Sequence, residues 1–228
     1  GGILQPKAVY DLKIAVPLAY NSYTGAVANP YGKVIAAFHD QSIPYMEKTT
    51  EVKLSDSKGN PLETQVNNMD LYKSMIWDTY TGKKLAEVVG AQYADIAFSS
   101  FESTVKGNLQ YNEANIVSAS SVPSGGIRGD YVLKAFGYEA PVTHLGLTPG
   151  KEYILSFWSN IGGATFGGGG LGAIPITAEY SAGNGWQLFT ARFTPVSTSP
   201  VGFTANGSNV AYYLDDIRIY PATATMQT

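Results

Sequence analysis

The chain has 228 residues, of which 44% are apolar, 14% are charged and 12% are aromatic, with 25 glycines, 16 tyrosines and no cysteine. This apolar content excludes a disordered chain, and the missing cysteines exclude a disulfide scaffold and a cysteine-ligated metal site. The net charge of −3 excludes the basic footprint of a nucleic-acid binder, and two histidines are too few for a His-rich metal site. Composition therefore indicates a neutral, Tyr- and Gly-rich β protein, a kind that binds more often than it catalyses.

Alternation of polar and apolar residues predicts strands along most of the chain. The predicted strands are 51–55, 71–77, 85–89, 130–136, 153–158, 186–193 and 210–220. Turn residues separate them, as in 57–61 and 147–150. Strands at these spacings indicate a sandwich or barrel, and a short helix is expected only around residues 90–98.

The composition shifts near residue 100. Most lysines precede that point, and glycine, serine and threonine predominate after it. We therefore predict a boundary that divides the chain into residues 1–95 and 96–228. No apolar run reaches the roughly 18 residues of a membrane helix. No targeting signal is recognised at the start, and the end suggests a segment of a longer polypeptide.

Five stretches of the second half resemble, in order, the galactose-binding-like jelly roll of many carbohydrate-binding modules. These stretches are 99–102 (Ser-Ser-Phe-Glu), 129–133, 147–158, 185–187 (Gly-Trp-Gln) and 212–219 (with Asp215-Asp216). The resemblance implies a two-sheet sandwich whose apolar core is closed within itself. It also implies a glycan, either an oligosaccharide or a polysaccharide, as the partner.

The first half resembles YD-repeat, Rhs-type polypeptides. The matching stretches are 54–63, 76–78 and 86–97, and the ending 215–228 resembles the sequence after which such repeats resume. Leu54-Ser55 stands in place of the usual tyrosine, and residues 1–51 carry no motif. The resemblance implies a module of a large secreted or cell-surface bacterial protein, with the remainder of that YD-repeat polypeptide as a second partner.

Exposed aromatic side chains are the first candidate for a binding site, because sugar C–H groups stack on the negative π face of an aromatic ring. Strand parity places Tyr153, Leu155 and Phe157 toward the core, so Trp158 is expected to face outward. The candidate platform consists of Trp158, Tyr180, Trp186 and Arg192. The alternative is that both tryptophans pack under loops or against the N-terminal half.

Acidic residues at the ends of the jelly roll are the second candidate. Jelly rolls of the resembled type often hold a structural calcium ion where the first and last strands meet, and calcium is ligated by oxygen atoms. The resemblance therefore implies metal ligands among Glu102, Asp215 and Asp216. Adjacent strand residues point to opposite faces, so only one of the two aspartates is expected to face the site. In the alternative, these acids pair with Arg218 or with backbone N–H groups, or face water.

Catalytic motifs are weak in this sequence. A glycosidase needs two carboxyl groups across a sugar cleft, and adjacent Asp215 and Asp216 cannot flank a substrate. Residues 167–172 satisfy G-x-G-x-x-G but lie in a glycine run without a following helix, which predicts a flexible loop. His39 and His144 belong to no recognisable triad, and the sequon at Asn206 reads as a turn.

The sequence therefore predicts an all-β chain, with a galactose-binding-like jelly-roll β-sandwich after a small N-terminal β region. The predicted function is a non-enzymatic carbohydrate-binding module. A purely structural spacer or shell module without a ligand is the main alternative, and a glycoside hydrolase-associated or catalytic domain is the second. Exposure of Trp158 and Trp186 separates binding from the structural role, since burial of both would remove the platform.

Overall fold

The computed structural model describes residues 8–12, 46–66, 69, 71–136, 140–160, 164–204 and 209–228. Strands are numbered in chain order, and every strand pair within these ranges is antiparallel. They form three sheets, one mainly N-terminal and two that face each other across an apolar core. His39 and the sequon at Asn206 lie outside the described residues.

The N-terminal sheet is a meander to which the last strand of the chain is added. Its strands are β1 (Ala8–Leu12), β2 (Met46–Ser55), β3 (Pro61–Val66), β4 (Tyr72–Trp77), β5 (Lys84–Val89) and β18 (Thr225–Gln227), in that spatial order. Between β2 and β3, Asp56 accepts hydrogen bonds from the backbone N–H groups of Lys58 and Asn60, and Gly59 takes a φ of 91°. The left-handed residue of this turn is therefore the glycine and not Asn60.

The remaining strands form the two sheets of a sandwich. The five-stranded sheet contains β7 (Leu109–Tyr111), β10 (Val142–His144), β12 (Thr165–Gly168), β13 (Leu171–Ile174) and β16 (Val201–Thr204). The seven-stranded sheet contains β6 (Ala97–Ser99), β8 (Ile116–Ser118), β9 (Tyr131–Phe136), β11 (Tyr153–Ser159), β14 (Thr177–Gly183), β15 (Trp186–Phe193) and β17 (Ala211–Pro221).

Between β9 and β17 the chain passes repeatedly from one sheet to the other, as it does in a jelly roll. The prediction of an all-β fold with a jelly-roll β-sandwich and a smaller N-terminal β region is confirmed. The whole sandwich lies, in sequence, between β5 and β18, which are paired neighbours in the N-terminal sheet. The proposed division at residue 95 stays a prediction, and the C-terminal strand belongs to the N-terminal sheet.

The sandwich core is built from alternate residues of its strands. Tyr153, Leu155 and Phe157 of β11 are fully buried, as their parity predicted. Ala191 and Phe193 of β15 join them. The ring centroid of Phe157 lies 4.8 Å from that of Phe203, which belongs to the opposite sheet. Burial of such side chains is the main stabilising contribution, at roughly 1.5–3 kcal/mol each.

The helix expected around residues 90–98 is not formed. One 3-10 turn occurs there, at Tyr93–Asp95, and β6 begins directly afterwards at Ala97. The Asp95 side chain points inward and accepts hydrogen bonds from Thr148 (2.9 Å), Lys151 (2.6 Å) and Tyr153. These bonds attach the connection after β5 to the sandwich, and a longer helix would carry Asp95 away from them.

The glycine run also differs from the expected flexible loop. Its first residues belong to β12, and a tight hairpin joins β12 to β13. A Cβ on Gly168 would lie 2.1 Å from the carbonyl oxygen of Pro200, so glycine is required by the close approach of the chain at β16. No helix of the described residues is long and apolar enough to cross a membrane.

Candidate functional site

The outer face of the seven-stranded sheet carries an aromatic pair. Trp158 on β11 and Tyr180 on β14 both pair in register with Leu188 on the intervening strand β15. Their ring centroids lie 6.0 Å apart at an interplanar angle of 87°. Trp158 is half-buried, whereas Tyr180 is 62% exposed. The structure therefore brings these two predicted residues together in an edge-to-face pair that is open to solvent on one side.

The prediction that Trp186 is part of the exposed platform is wrong. It is 1% exposed, and its indole N–H donates to the carbonyl oxygen of Gly125 at 2.8 Å. Val122 and Ala119, from the segment between β8 and β9, pack with it in a small apolar cluster on the outer face of the sheet. Its ring faces are covered, so no sugar can stack on them.

Arg192, the fourth predicted residue, is exposed but does not touch the aromatic pair. It lies four residues from Leu188 along β15, which is about 13 Å at a usual rise of about 3.3 Å per residue. Its guanidinium group donates to Glu152 at 3.2 Å. The aromatic pair and Arg192 therefore lie at two separate places on one sheet face.

A groove of about 480 Å³ lies beside Arg192 on this face. Ile154 and Thr190 contribute to its lining from β11 and β15, Glu179 from β14 and Tyr220 from β17. The Thr190 hydroxyl donates to the Glu179 carboxylate. The groove thus offers an apolar floor, a hydroxyl, a carboxylate and a guanidinium group, which together suit a ligand rich in hydroxyl groups.

The sequence did not predict a role in the site for three residues, Glu179, Glu152 and Thr190. Thr190 shares strand parity with Arg192, and Glu152 shares the even numbering of the outward Trp158. Parity could have found both of them. Glu179 could not be found this way, because a register shift between Ala178 and Tyr180 interrupts the alternation of β14.

Two of the predicted metal ligands have other partners. The Glu102 carboxylate accepts hydrogen bonds from the backbone N–H groups of Asp130 (2.9 Å) and Tyr131 (2.8 Å). The Asp216 carboxylate pairs with Arg128 and Arg218, each at 3.3 Å. The alternative interpretation of these acids, as partners of Arg218 and of backbone N–H groups, is thus observed for both.

Asp215 is in a different position. Both aspartates are buried, because Asp216 has a φ of 47° and the alternation of β17 breaks there, contrary to the expectation that only one points inward. One oxygen of Asp215 accepts from the Asp216 N–H at 2.7 Å, and the other has no hydrogen-bond partner. Burial, reinforced by the negative charges of Asp216 and Glu102, raises the pKa of Asp215 to about 8.

The fit to calcium follows from these contacts. Among the described residues no group of three or more His, Cys, Asp or Glu side chains is placed to hold a metal ion, so Glu102, Asp215 and Asp216 do not form one such group. The unpartnered oxygen of Asp215 and the carboxylate of Glu102 are hard oxygen donors of the kind that calcium prefers. Asp216 is excluded from that set by its two arginines.

The solved structures that are similar to the chain include two with xylan-related modules and one adhesin domain. The xylan-binding CBM22-1 domain of Paenibacillus barcinonensis Xyn10C is 17% identical, with a TM-score of 0.37, over 59% of this chain and 99% of that one. The CBM22-1–GH10 modules of Clostridium thermocellum xylanase 10B, complexed with xylohexaose, are 16% identical, with a TM-score of 0.33 over 57% of this chain and 27% of that one. The K1 cleaved adhesin domain of Lys-gingipain from Porphyromonas gingivalis is 16% identical, with a TM-score of 0.35 over 54% and 96%.

No protein-family model matches the sequence, and no curated protein does. This chain spans about a quarter of the xylanase chain to which it is similar. The chemistry of the site therefore follows from the contacts of its own side chains.

Proposed function

We propose that the protein is a non-enzymatic carbohydrate-binding module. The observation that carries the proposal is the solvent-open Trp158–Tyr180 pair, on the sheet face that also bears the groove lined by Thr190, Glu179 and Arg192. Aromatic faces stack on sugar rings, and hydroxyl, carboxylate and guanidinium groups bond to sugar hydroxyls. All of these side chains extend from paired strands, which hold them in place before a ligand binds.

A glycan-array screen of the purified chain, run with calcium and again with a chelator, tests this proposal. The glycans that bind are then measured by titration calorimetry against Tyr180→Ala and Trp158→Ala. We expect each variant to weaken binding at least about tenfold, which is about 1.4 kcal/mol. Tyr80→Ala is the matched control, because Tyr80 is 88% exposed in the turn between β4 and β5, and it should bind as the wild type does. A blank array from folded protein in both conditions overturns the proposal.

Catalysis is a weaker interpretation of the same residues. A glycoside hydrolase needs a carboxyl group that holds a proton beside the substrate. Asp215 has a suitably raised pKa but no exposed surface. Beside the groove, Glu152 is paired with Arg192, and within it Glu179 accepts a hydrogen bond from Thr190. These contacts support binding rather than hydrolysis.

A structural module without a ligand is the second candidate. Burial of Trp186 favours it, and so does the position of the sandwich between two paired strands of the N-terminal sheet. Trp158 packs against the Trp186 cluster but remains partly exposed, and Tyr180 beside it is 62% exposed. The pair therefore keeps aromatic surface open to a sugar. The array decides between the two, since a structural module binds no glycan.

We further propose that the chain belongs to a large secreted or cell-surface bacterial polypeptide of the Rhs type. The ordered motifs in the sequence support this context, and so does the hairpin turn built on Asp56 and Gly59. Within it, we propose that one calcium ion supports the sandwich, held by Asp215 and Glu102. The ion would supply positive charge to a buried carboxylate that has an unpartnered oxygen.

A further inference from the structure

The end of the groove away from the aromatic pair has its own set of polar side chains. Arg192 and Glu152 form an ion pair there, with side chains that are 62% and 53% exposed. Glu179 and Thr190 lie between this pair and the aromatic residues and are bonded to each other. Side chains from β14, from β15 and from the residue just before β11 thus form one polar cluster on this face.

The separation of the two ends sets the size of a ligand that uses both. Arg192 lies about 13 Å along β15 from Leu188, the register partner of Trp158 and Tyr180. One sugar ring stacked on the aromatic pair cannot reach that far. Thr190 and its register partner Ser156, both half-buried, lie between the two ends on the same face. A chain of linked sugars could therefore lie across both ends over hydroxyl-bearing residues.

The charge of the cluster selects against acidic ligands. Two carboxylates, Glu152 and Glu179, stand against the single cation Arg192, and that cation is already paired. Arg218, the nearest cation on β17, bonds to Asp216 at 3.3 Å and lies over the Phe98 ring at 5.9 Å. Strands β11, β14, β15 and β17 carry no cation besides Arg192 and Arg218, so on these strands an anionic sugar would meet excess negative charge without an unpaired cation. A neutral sugar would instead donate its hydroxyl protons to the carboxylates.

We infer that Glu179 and the Glu152–Arg192 pair form a second, polar subsite, so that the protein selects an uncharged chain of several sugars over a single sugar or an acidic glycan. This inference rests on the proposed carbohydrate-binding function. It assigns different roles to the two ends, because the aromatic pair supplies stacking to any sugar ring and the polar subsite discriminates by chain length and charge.

Titration calorimetry with oligosaccharides of increasing length tests the inference. The neutral probes are xylo-, manno- and cello-oligosaccharides from monosaccharide to hexasaccharide, and the acidic probes are oligogalacturonides of the same lengths. We expect at least one neutral series to bind about tenfold or more tightly at full length than as a disaccharide, with no acidic probe binding better. Arg192→Gln should remove most of that gain from length and weaken binding of the hexasaccharide far more than binding of the disaccharide. Lys83→Gln, which removes an exposed cation from the turn after β4, should change neither.

Several outcomes separate this inference from the function on which it rests. Binding that is equal for short and long chains, preference for oligogalacturonides, or an Arg192→Gln effect of the same size at every length would overturn the second subsite while leaving a carbohydrate-binding module. An array hit on acidic or single sugars, without binding of any neutral series, would do the same. A blank array together with no calorimetric binding would remove the proposed function itself.

Discussion

The indole N–H of Trp186 donates to the carbonyl oxygen of Gly125, so a residue of β15 holds in place the segment that runs from β8 to β9. Sixty-one positions separate the two residues in the sequence. This contact gives Trp186 a structural role in place of the predicted ligand-binding role. The apolar cluster around Trp186 covers one end of the sheet face and leaves the end with Tyr180 open.

Trp186→Phe should lower the free energy of unfolding by about 1–3 kcal/mol, because it shrinks a buried ring and removes its hydrogen bond to the carbonyl of half-buried Gly125. Trp186→Ala should cost about 3–5 kcal/mol through the cavity it creates. Urea unfolding measures both values. Trp77→Phe is the matched control, since Trp77 donates to the Pro61 carbonyl at 2.7 Å from a half-buried position where water can replace it, and it should cost less. A Trp186→Phe variant of wild-type stability that has lost glycan binding would contradict the structural role.

Calcium should raise the melting temperature of the wild-type protein, and EGTA should lower it. The physical reason is the unpartnered oxygen of buried Asp215, whose charge a bound cation would compensate. At a calcium concentration one hundred times the Kd, the gain would be about 2.7 kcal/mol. Asp215→Asn should abolish the response to calcium.

Asp216→Asn is the control for this calcium effect. The Asp216 carboxylate is bonded to Arg128 and Arg218, so its loss should destabilise the sandwich while the response to calcium is retained. A wild-type melting temperature that is the same in EGTA and in excess calcium would show that Asp215 is not a ligand.

Local patterns predicted seven of the eighteen described strands, but not the other eleven or the contacts between distant segments. Alternation predicted the bounds of β15 at Trp186 and Phe193, because the period of two depends on neighbouring residues alone. The burial of Trp186 depends on Gly125, and the pairing of Asp216 depends on Arg128. Such long-range contacts leave no period in the sequence. A residue with outward parity can therefore still be covered, as Trp186 is.

The candidate binding site could be predicted only in part, again because its contacts join distant segments. Trp158 and Tyr180 were paired from their proximity to two predicted strands, and the structure places them 6.0 Å apart. Arg192 was expected beside them because it shares parity with Leu188, but parity fixes the face of a strand and not the position along it. Its partner Glu152 lies 40 positions earlier in the chain.

The contribution of buried His144 to stability should be lost in acid. Burial lowers the pKa of His144, opposed by hydrogen bonding to the Ile96 and Leu145 carbonyls and by the charge of Asp95. The unfolded chain therefore takes up a proton near the ordinary pKa of about 6.5, whereas the folded protein does so only at lower pH. Stability from this group is complete above about pH 6.5 and is lost as the pH falls toward the folded pKa.

Urea unfolding of wild type and His144→Asn between pH 7.5 and pH 4.5 measures this loss as the difference between the two curves. Asp215, whose pKa is raised to about 8, stabilises both proteins alike as the pH falls, and its effect cancels in that difference. Asp95 supplies an internal comparison. Burial alone would raise its pKa, but the hydrogen bonds from Lys151, Tyr153 and Thr148 outweigh burial and lower it. Its contribution should therefore persist until the pH falls below about 4, the ordinary range of aspartate. A pH slope above 4.5 that is unchanged in His144→Asn would place the titrating group elsewhere.

Gly107 should tolerate no side chain, because its backbone passes directly against the sandwich. A Cβ there would lie 1.8 Å from the Phe98 carbonyl oxygen, and Gly107 also has a φ of 52°. The Phe98 N–H in turn donates to the Gly107 carbonyl, so a shift that relieves the clash would break a hydrogen bond next to β6. We expect Gly107→Ala to cost more than about 3 kcal/mol, beyond the usual range for a single substitution, or to prevent folding.

Gly82→Ala separates the clash from the backbone strain. Gly82 has a φ of 72°, but a Cβ added there would meet no atom within 4 Å beyond its chain neighbours, so alanine meets strain alone, about 1–2 kcal/mol. Urea unfolding of the two variants, with soluble yield as a second readout for Gly107→Ala, makes the comparison. Equal costs at the two positions would mean that the left-handed backbone dominates both, and that the contact between Gly107 and Phe98 is looser than the structure shows. A cost at Gly107 that exceeds that at Gly82 by about 2 kcal/mol or more would establish this contact as a fixed point between β6 and β7.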